Sequence, residues 1–182
     1  ADAVIAQGLE AGGHRGHFLS TDVARQCGTL ELLSRLQPQL RVPLVAAGGI
    51  ATADDVRAAL AHGAAAVQVG TTFLLCDEAA TGALHRARLR DVQAPTALTN
   101  LFTGGLARGL ENRAMRALGP VCEDAPPFPL ATGAIGPLRS AAEAAGRDDF
   151  TPLWSGTNRR GCRAGPAAAV VRSLAAGWAP AA

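Results

Sequence analysis

Ala3-Val4-Ile5-Ala6 runs without a break into Gln7-Gly8-Leu9-Glu10-Ala11-Gly12-Gly13-His14. A short β-prone apolar run that ends in a polar, glycine-rich segment reads as a buried strand entering a loop at its C-terminal end. In α/β folds that end of a strand is where ligands bind and chemistry is done. Glycine at 8, 12 and 13 admits backbone conformations closed to other residues and lets main chain approach a ligand closely. A single imidazole, His14, emerges from the loop.

Two later stretches share this layout. Pro43-Leu44-Val45-Ala46-Ala47-Gly48-Gly49-Ile50 is an apolar run ending in paired glycines, and Ala65-Ala66-Val67-Gln68-Val69-Gly70-Thr71 ends in Gly-Thr. Between them, Ala51 to His62 predicts a helix: Thr52 is the N-cap, Asp54 and Asp55 occupy the first turn, and Val56, Ala59 and Leu60 fall at helical spacing. Gly63 stands where a left-handed cap ends such a helix. Further upstream, Ser20-Thr21-Asp22 caps or turns, and Gly28-Thr29 starts a helix through Leu30, Leu33 and Leu36. Residues 1 to 75 therefore read as strand, helix, strand, helix, strand. Such crossovers imply parallel strands connected right-handedly and covered by helices.

The 182 residues hold 48% hydrophobic side chains, ample for a core. Seventeen basic against fifteen acidic residues give a net charge of +2, and the basic residues are scattered, so no nucleic-acid footprint is visible. Every basic residue is Arg, and Tyr is absent. These residues supply no Schiff-base or phosphate-loop lysine and no phenolic acid or base. Cys27, Cys76, Cys122 and Cys162 are far apart without a Cys-x-x-Cys pairing, so reduced thiols of a cytoplasmic protein are expected, and no metal site. No apolar segment is long enough to span a bilayer. The chain opens Ala1-Asp2 and enters a strand almost at once, which predicts a natural start further upstream.

After residue 90 the pattern changes. Ala97 to Phe102 is β-tolerant, Gly104-Gly105 is a turn, Ala107 to Leu118 is an Arg-rich helix candidate, and Ala125-Pro126-Pro127-Phe128-Pro129 precedes a short helix near Leu138 to Ala145. Pro166 to Ala176 predicts an amphipathic helix with Pro in its first turn and Gly177 just past its end. The expected organisation is βα units over 1–90, a smaller partly helical cap over 91–150, and a returning segment and helix over 151–182.

Gln7 to His14, Ala46-Ala47-Gly48-Gly49-Ile50, Gln68-Val69-Gly70-Thr71 and Leu153-Trp154-Ser155-Gly156, in that order and spacing, resemble the C-terminal part of nitronate monooxygenases, the FMN enzymes once called 2-nitropropane dioxygenases. The resemblance implies an α/β fold, a partial (β/α)8 TIM barrel whose strands resemble six to eight, with a partly helical cap insertion. It implies FMN as cofactor, a nitronate or nitroalkane and dioxygen as small-molecule partners, and neither nucleic acid nor membrane as partner. Two open strand edges would invite homo-oligomerisation. The sequence departs from the family pattern around Thr99 to Ala107 and at Thr157-Asn158-Arg159-Arg160.

Barrels bind phosphate with the loops after strands seven and eight, where backbone N–H groups meet a helix N-terminus. Gly48, Gly49, Gly70 and Thr71 suit an FMN phosphate, with Gln68 and Val69 beside the second loop. Such glycines also serve tight turns, but their recurrence on successive strands favours the ligand role. By resemblance, Gln7 contacts the flavin with Gly12 and Gly13 beside it, and His14 takes a proton from the carbon next to a nitro group. An imidazole, with an ordinary pKa near 6.5, suits that task. His17 raises a metal-pair reading that no further ligand completes. His62 and His85 are expected to be solvated, Trp154 to pack or to line the site, and Arg108 and Arg113 to lie on a solvated helix. Glu10 either orients Arg15 or His14 or caps the loop. An FMN-dependent enoyl-acyl-carrier-protein reductase and an inactive half-barrel interaction module are the alternative readings.

Overall fold

In the computed structural model, which describes residues 1–16 and 22–178, the elements are β1 (Val4–Gln7), β2 (Gly13–His14), α1 (Thr29–Leu36), β3 (Leu44–Ala47), α2 (Ala53–Ala61), β4 (Ala66–Gln68), α3 (Ala83–Leu89), β5 (Thr96–Thr99), β6 (Ala107–Leu110), α4 (Arg113–Leu118), α5 (Ala131–Ala144) and α6 (Ala167–Ala175). The fold is α/β, with one parallel and one antiparallel sheet. No helix among the described residues is long and apolar enough to cross a membrane. Ser20, Thr21 and His17 lie outside the described residues.

The chain divides into two compact units. The first comprises Ala1–Ala11, Gly16–Ala80 and Thr157–Ala182. Its parallel sheet has the order β1-β3-β4. In that register Ala6, Ala46 and Val67 form one row across the sheet, while Ile5, Val45 and Ala66 form the next. The first row joins a core with Leu33 of α1, Val56 and Ala59 of α2, and Val170 and Leu174 of α6. Leu33 is wholly buried there, so its truncation to Ala would cost about 2–5 kcal/mol. The second row points away from that core, and Ile5 is 56% exposed.

The predicted caps of this unit are formed. Thr52 and Asp55 make a reciprocal capping box on α2, and Gly63 adopts a φ of +88° after it. Asp22 accepts from the Ala24 N–H and opens a single 3-10 turn, Val23–Arg25. Pro166 precedes α6, and Gly177 lies so close to Ala53 that a β-carbon there would sit 2.2 Å from its carbonyl oxygen.

The second unit comprises Gly12–Arg15 and Thr81–Gly156. Its antiparallel sheet has the order β2-β6-β5, with His14 opposite Ala107 and Thr96 opposite Leu110. Leu101, Phe102, Ala114 and Met115 form its core, with Trp154 packed against them. Here the helix expected over Ala107 to Leu118 is corrected. Its first part is β6, in which Ala107, Gly109 and Leu110 are buried, and helix begins only at Arg113. Asn112 makes the break: its Oδ1 accepts from the Met115 N–H, and its Nδ2 donates to the carbonyls of Asp148 and Thr151. The helix expected near Leu138 in fact begins at Ala131 and runs through Pro137.

Candidate functional site

The strand-end loops of the first unit are assembled around a few buried polar bonds. Gly8 at the end of β1 donates its N–H to the Ala47 carbonyl at 2.9 Å, and a β-carbon there would collide with Thr29. Gln7 is half-buried, and its Oε1 accepts from the Gly16 N–H at 2.6 Å. Glu10 caps α1: its Oε2 accepts from the Thr29 N–H, with the Thr29 hydroxyl also 2.9 Å away. Of the roles expected for Glu10, capping is the one observed.

Glu10 also lies beneath the paired glycines. Gly48 and Gly49 have φ of +115° and +73°, a region closed to most side chains. A β-carbon on Gly48 would meet the Ala11 nitrogen and Thr29 Oγ1 at 2.9 Å, and one on Gly49 would meet Glu10 Cβ at 3.2 Å. Among the described residues the N–H groups of Gly48, Gly49 and Gly70 donate to no protein acceptor. The two residues just before α2 are different, because Asp55 Oδ2 accepts from the N–H groups of both Ala51 and Thr52. A carboxylate therefore already stands beside the helix terminus expected to meet an anion.

At the second loop, Gln68 is exposed at the end of β4 and Val69 packs against the core. Gly70 is exposed, with open space where its β-carbon would stand, and Thr71 begins a 3-10 turn, Thr71–Phe73.

Residues 157–163 tie the two loops together, and sequence reasoning missed this. Asn158 Nδ2 donates to the Gly49 carbonyl at 2.8 Å and to Asp55 Oδ2 at 3.0 Å. Arg160 stands 3.5 Å from Asp55. Gly161 lies against Ala51, where a β-carbon would come within 1.9 Å of the carbonyl oxygen. The Cys162 thiol donates to the Thr71 carbonyl, and burial pushes its pKa up to about 11. The signal was the departure of Thr157 to Arg160 from the family pattern, but nothing local in it names Gly49 or Asp55 as partner.

In the second unit His14 is exposed on β2. Its Nε2 is 2.8 Å from Thr103 Oγ1, a residue 89 positions away. The ring meets Phe128 edge-on and Trp154 at a tilt, both with centroids at 5.6 Å. Trp154 in turn packs edge-on against buried Phe102. Gly104 and Gly105 do more than turn the chain. A β-carbon on Gly104 would strike the Pro126 carbonyl at 2.3 Å, and one on Gly105 would crowd Phe128 and His14 at 3.2 and 3.4 Å. Their small size seats the Pro126–Pro129 segment and brings Phe128 to the imidazole.

Gly13, beside His14, has a φ of +74° with open space beyond it. Gly12 is needed for packing, since a β-carbon there would be 2.5 Å from the Gly156 nitrogen. Arg108 is on strand β6 rather than on a helix, half-buried, with Nη1 donating to Thr96. Arg113 is exposed in the first turn of α4. His85 is half-buried, not solvated: burial holds its pKa below the ordinary histidine value, opposed by a hydrogen bond with the Trp154 backbone.

A family model described as nitronate monooxygenase matches residues 1–177. The chain belongs to the nitronate monooxygenase family. It is 44% identical over 176 residues to a nitronate monooxygenase of Pseudomonas aeruginosa, covering 96% of this chain and 50% of that one. It is 37% identical over 162 residues to a probable nitronate monooxygenase of Staphylococcus saprophyticus, covering 87% and 46%. Among solved structures it is similar to a nitroalkane oxidase from Streptomyces ansochromogenes, with a TM-score of 0.87, 43% identity, and 97% of this chain and 51% of that one covered. FabK from Thermotoga maritima is more distant, at TM-score 0.70 and 25% identity, covering 98% and 54%. The chain spans about half the length of the nitronate monooxygenase relatives it matches.

Proposed function

We propose that this chain is the C-terminal part of an FMN-dependent enzyme that oxidises alkyl nitronates and nitroalkanes with dioxygen. The observation that carries the reading is the setting of His14: an exposed imidazole, held by Thr103 and flanked by two aromatic rings, in a chain matched almost end to end by the nitronate monooxygenase model. The three parallel strands are read as the last three of a (β/α)8 barrel. The exposed Ile5, facing away from the helices, supports this, because in a closed barrel that row is interior.

The residues present fit an FMN phosphate. Gly48 and Gly49 hold left-handed conformations that only glycine adopts readily, Gly70 has open space above it, and all three N–H groups lack an acceptor among the described residues. Those donors, with the flanking Thr71, take the phosphate. The Asn158 bond to the Gly49 carbonyl fixes the intervening peptide. Gln7 and Gln68 offer side-chain amides to the flavin. When bound there, FMN would supply the redox chemistry between the nitronate and dioxygen, and the protein its binding and orientation.

His14 acts as general base toward a neutral nitroalkane. The C–H bond next to the nitro group breaks, its electron pair delocalises onto the nitro oxygens, and the proton goes to the imidazole. Phe128 and Trp154 present apolar surface beside the imidazole ring, suited to the alkyl part of the substrate. The test is His14→Asn in the full-length protein. Oxidation of neutral nitroethane should fall by about 10²- to 10⁴-fold, as for a lost general base, while preformed ethyl nitronate, already deprotonated, loses much less. An equal loss on both substrates would assign His14 to binding instead.

A further inference from the structure

The hydroxyl of Thr103 has three neighbours and one proton. Its Oγ1 lies 2.8 Å from His14 Nε2, 3.2 Å from the Gly105 carbonyl oxygen and 3.3 Å from the Gly105 nitrogen. The Gly105 N–H can only donate, so Oγ1 accepts there. The Gly105 carbonyl can only accept, whereas Nε2 donates or accepts according to tautomer. One assignment satisfies all three contacts: the hydroxyl proton goes to the Gly105 carbonyl, and Nε2 carries a hydrogen that it donates to Oγ1. The opposite assignment gives the proton to Nε2 and sets two oxygens, Oγ1 and the carbonyl, against each other with no hydrogen between them.

We infer that Thr103 is a positioning residue for the proposed base: it holds His14 in the tautomer with hydrogen on Nε2 and directs the basic lone pair to Nδ1. This rests on the reading of His14 as base given above. The assignment has a consequence for the reaction. When His14 takes the substrate proton, Nε2 keeps its own, so the bonds Nε2–H to Oγ1 and Oγ1–H to the Gly105 carbonyl are the same before and after transfer. Nothing around Thr103 reorganises as charge develops, which is the condition for a preorganised base. The balance is simple: a C–H bond breaks, its pair stays with the nitronate, and an Nδ1–H bond forms. The positions are also sterically defined, since a β-carbon on Gly105 would touch the imidazole edge at 3.4 Å and press on Phe128 at 3.2 Å.

The test compares the full-length wild-type protein with Thr103→Val, which keeps the shape and loses the hydroxyl, and Thr103→Ser, which keeps the hydroxyl. Thr103→Val should lower kcat on neutral nitroethane by about 10- to 100-fold, less than the roughly 10²- to 10⁴-fold expected for losing the base itself. Turnover of preformed ethyl nitronate should stay within about threefold, and Thr103→Ser should recover most of the loss. Equal losses on both substrates, or a Ser variant as impaired as the Val variant, would overturn the inference and leave Thr103 a packing residue. A readout independent of turnover is the nitrogen spectrum of ring-¹⁵N-labelled histidine. Wild-type His14 should show hydrogen on Nε2, and Thr103→Val a mixture of tautomers. Hydrogen on Nδ1 in the wild type would overturn the assignment directly. A wild-type protein that shows the Nε2 tautomer yet turns over nitronate and never neutral nitroethane would sink the base reading itself, and with it the role given to Thr103. That outcome is distinct from a failure of the Val variant alone.

Discussion

Gly48 and Gly49 in the first unit and His14 in the second all stand at strand ends, yet they are held in opposite ways. The glycines are defined by what surrounds them: Glu10 beneath, Asn158 on the carbonyl, and the Asp55 cap beside them. Their contribution is main chain, and the side chains nearby exist to fix it. His14 contributes a side chain, and its partners are a hydroxyl and two aromatic rings drawn from distant segments. On the proposed reading, a group bound by shape is served by rigid backbone, whereas a proton is moved by an imidazole whose tautomer Thr103 sets. The two arrangements should therefore fail differently when altered.

The sharpest separation is expected from His14→Asn, with its loss of about 10²- to 10⁴-fold on neutral nitroalkane and flavin content unchanged. Loss of flavin in that variant would blur the division of labour. Gly70→Val probes the other side. Its φ of −116° tolerates a side chain and the space is open, so the protein should fold with normal stability but release FMN, because the β-branched group stands between donor and phosphate. Full flavin occupancy after purification would move the phosphate elsewhere.

Glu10→Ala removes the charged cap of α1 and should cost about 1.5–3 kcal/mol, read as a shift in the denaturation midpoint at constant slope. Asn158→Ala loses bonds at the Gly49 carbonyl and at Asp55. At about 1 kcal/mol net per bond a shift of about 2 kcal/mol follows, with weaker FMN binding as the second sign. The smallest effect concerns His85. Its pKa is lowered in the folded state, so the unfolded chain takes up the proton first as pH falls. Stability from this residue is complete above the ordinary value of about 6.5 and drains away below it, down through the lowered folded value. Denaturation curves at pH 7.5 and 5.5, compared between wild type and His85→Gln, should show a reduced pH dependence in the variant.

The first unit was largely legible because its signals are local. Apolar runs, paired glycines, and Thr52 with Asp55 three residues on each carry their structure within one turn or one strand. What could not be read there was the 157–163 segment, whose partners lie about a hundred residues upstream. The second unit was harder for the same reason, magnified. Arg108, Arg113 and Arg116 suggest one helix, but Ala107 to Leu110 is a strand only because β5 supplies its partner, and Gly109 fits because the Leu153 carbonyl would be 2.9 Å from any β-carbon there. His14 itself was singled out from its loop. Thr103 and Phe128 carry no local mark of their service to it.

Cys162 illustrates what the closing segment does for the first unit. With the thiol pKa near 11, only about one molecule in 10⁴ carries a thiolate at neutral pH. A sulfur so close to the Thr71 loop would otherwise be a target for peroxides and alkylating reagents. Held as S–H against the Thr71 carbonyl, it is chemically silent while the segment stays in place and gains reactivity when the segment lifts. Alkylation of Cys162 should therefore be slow in the folded protein and fast once the protein is unfolded.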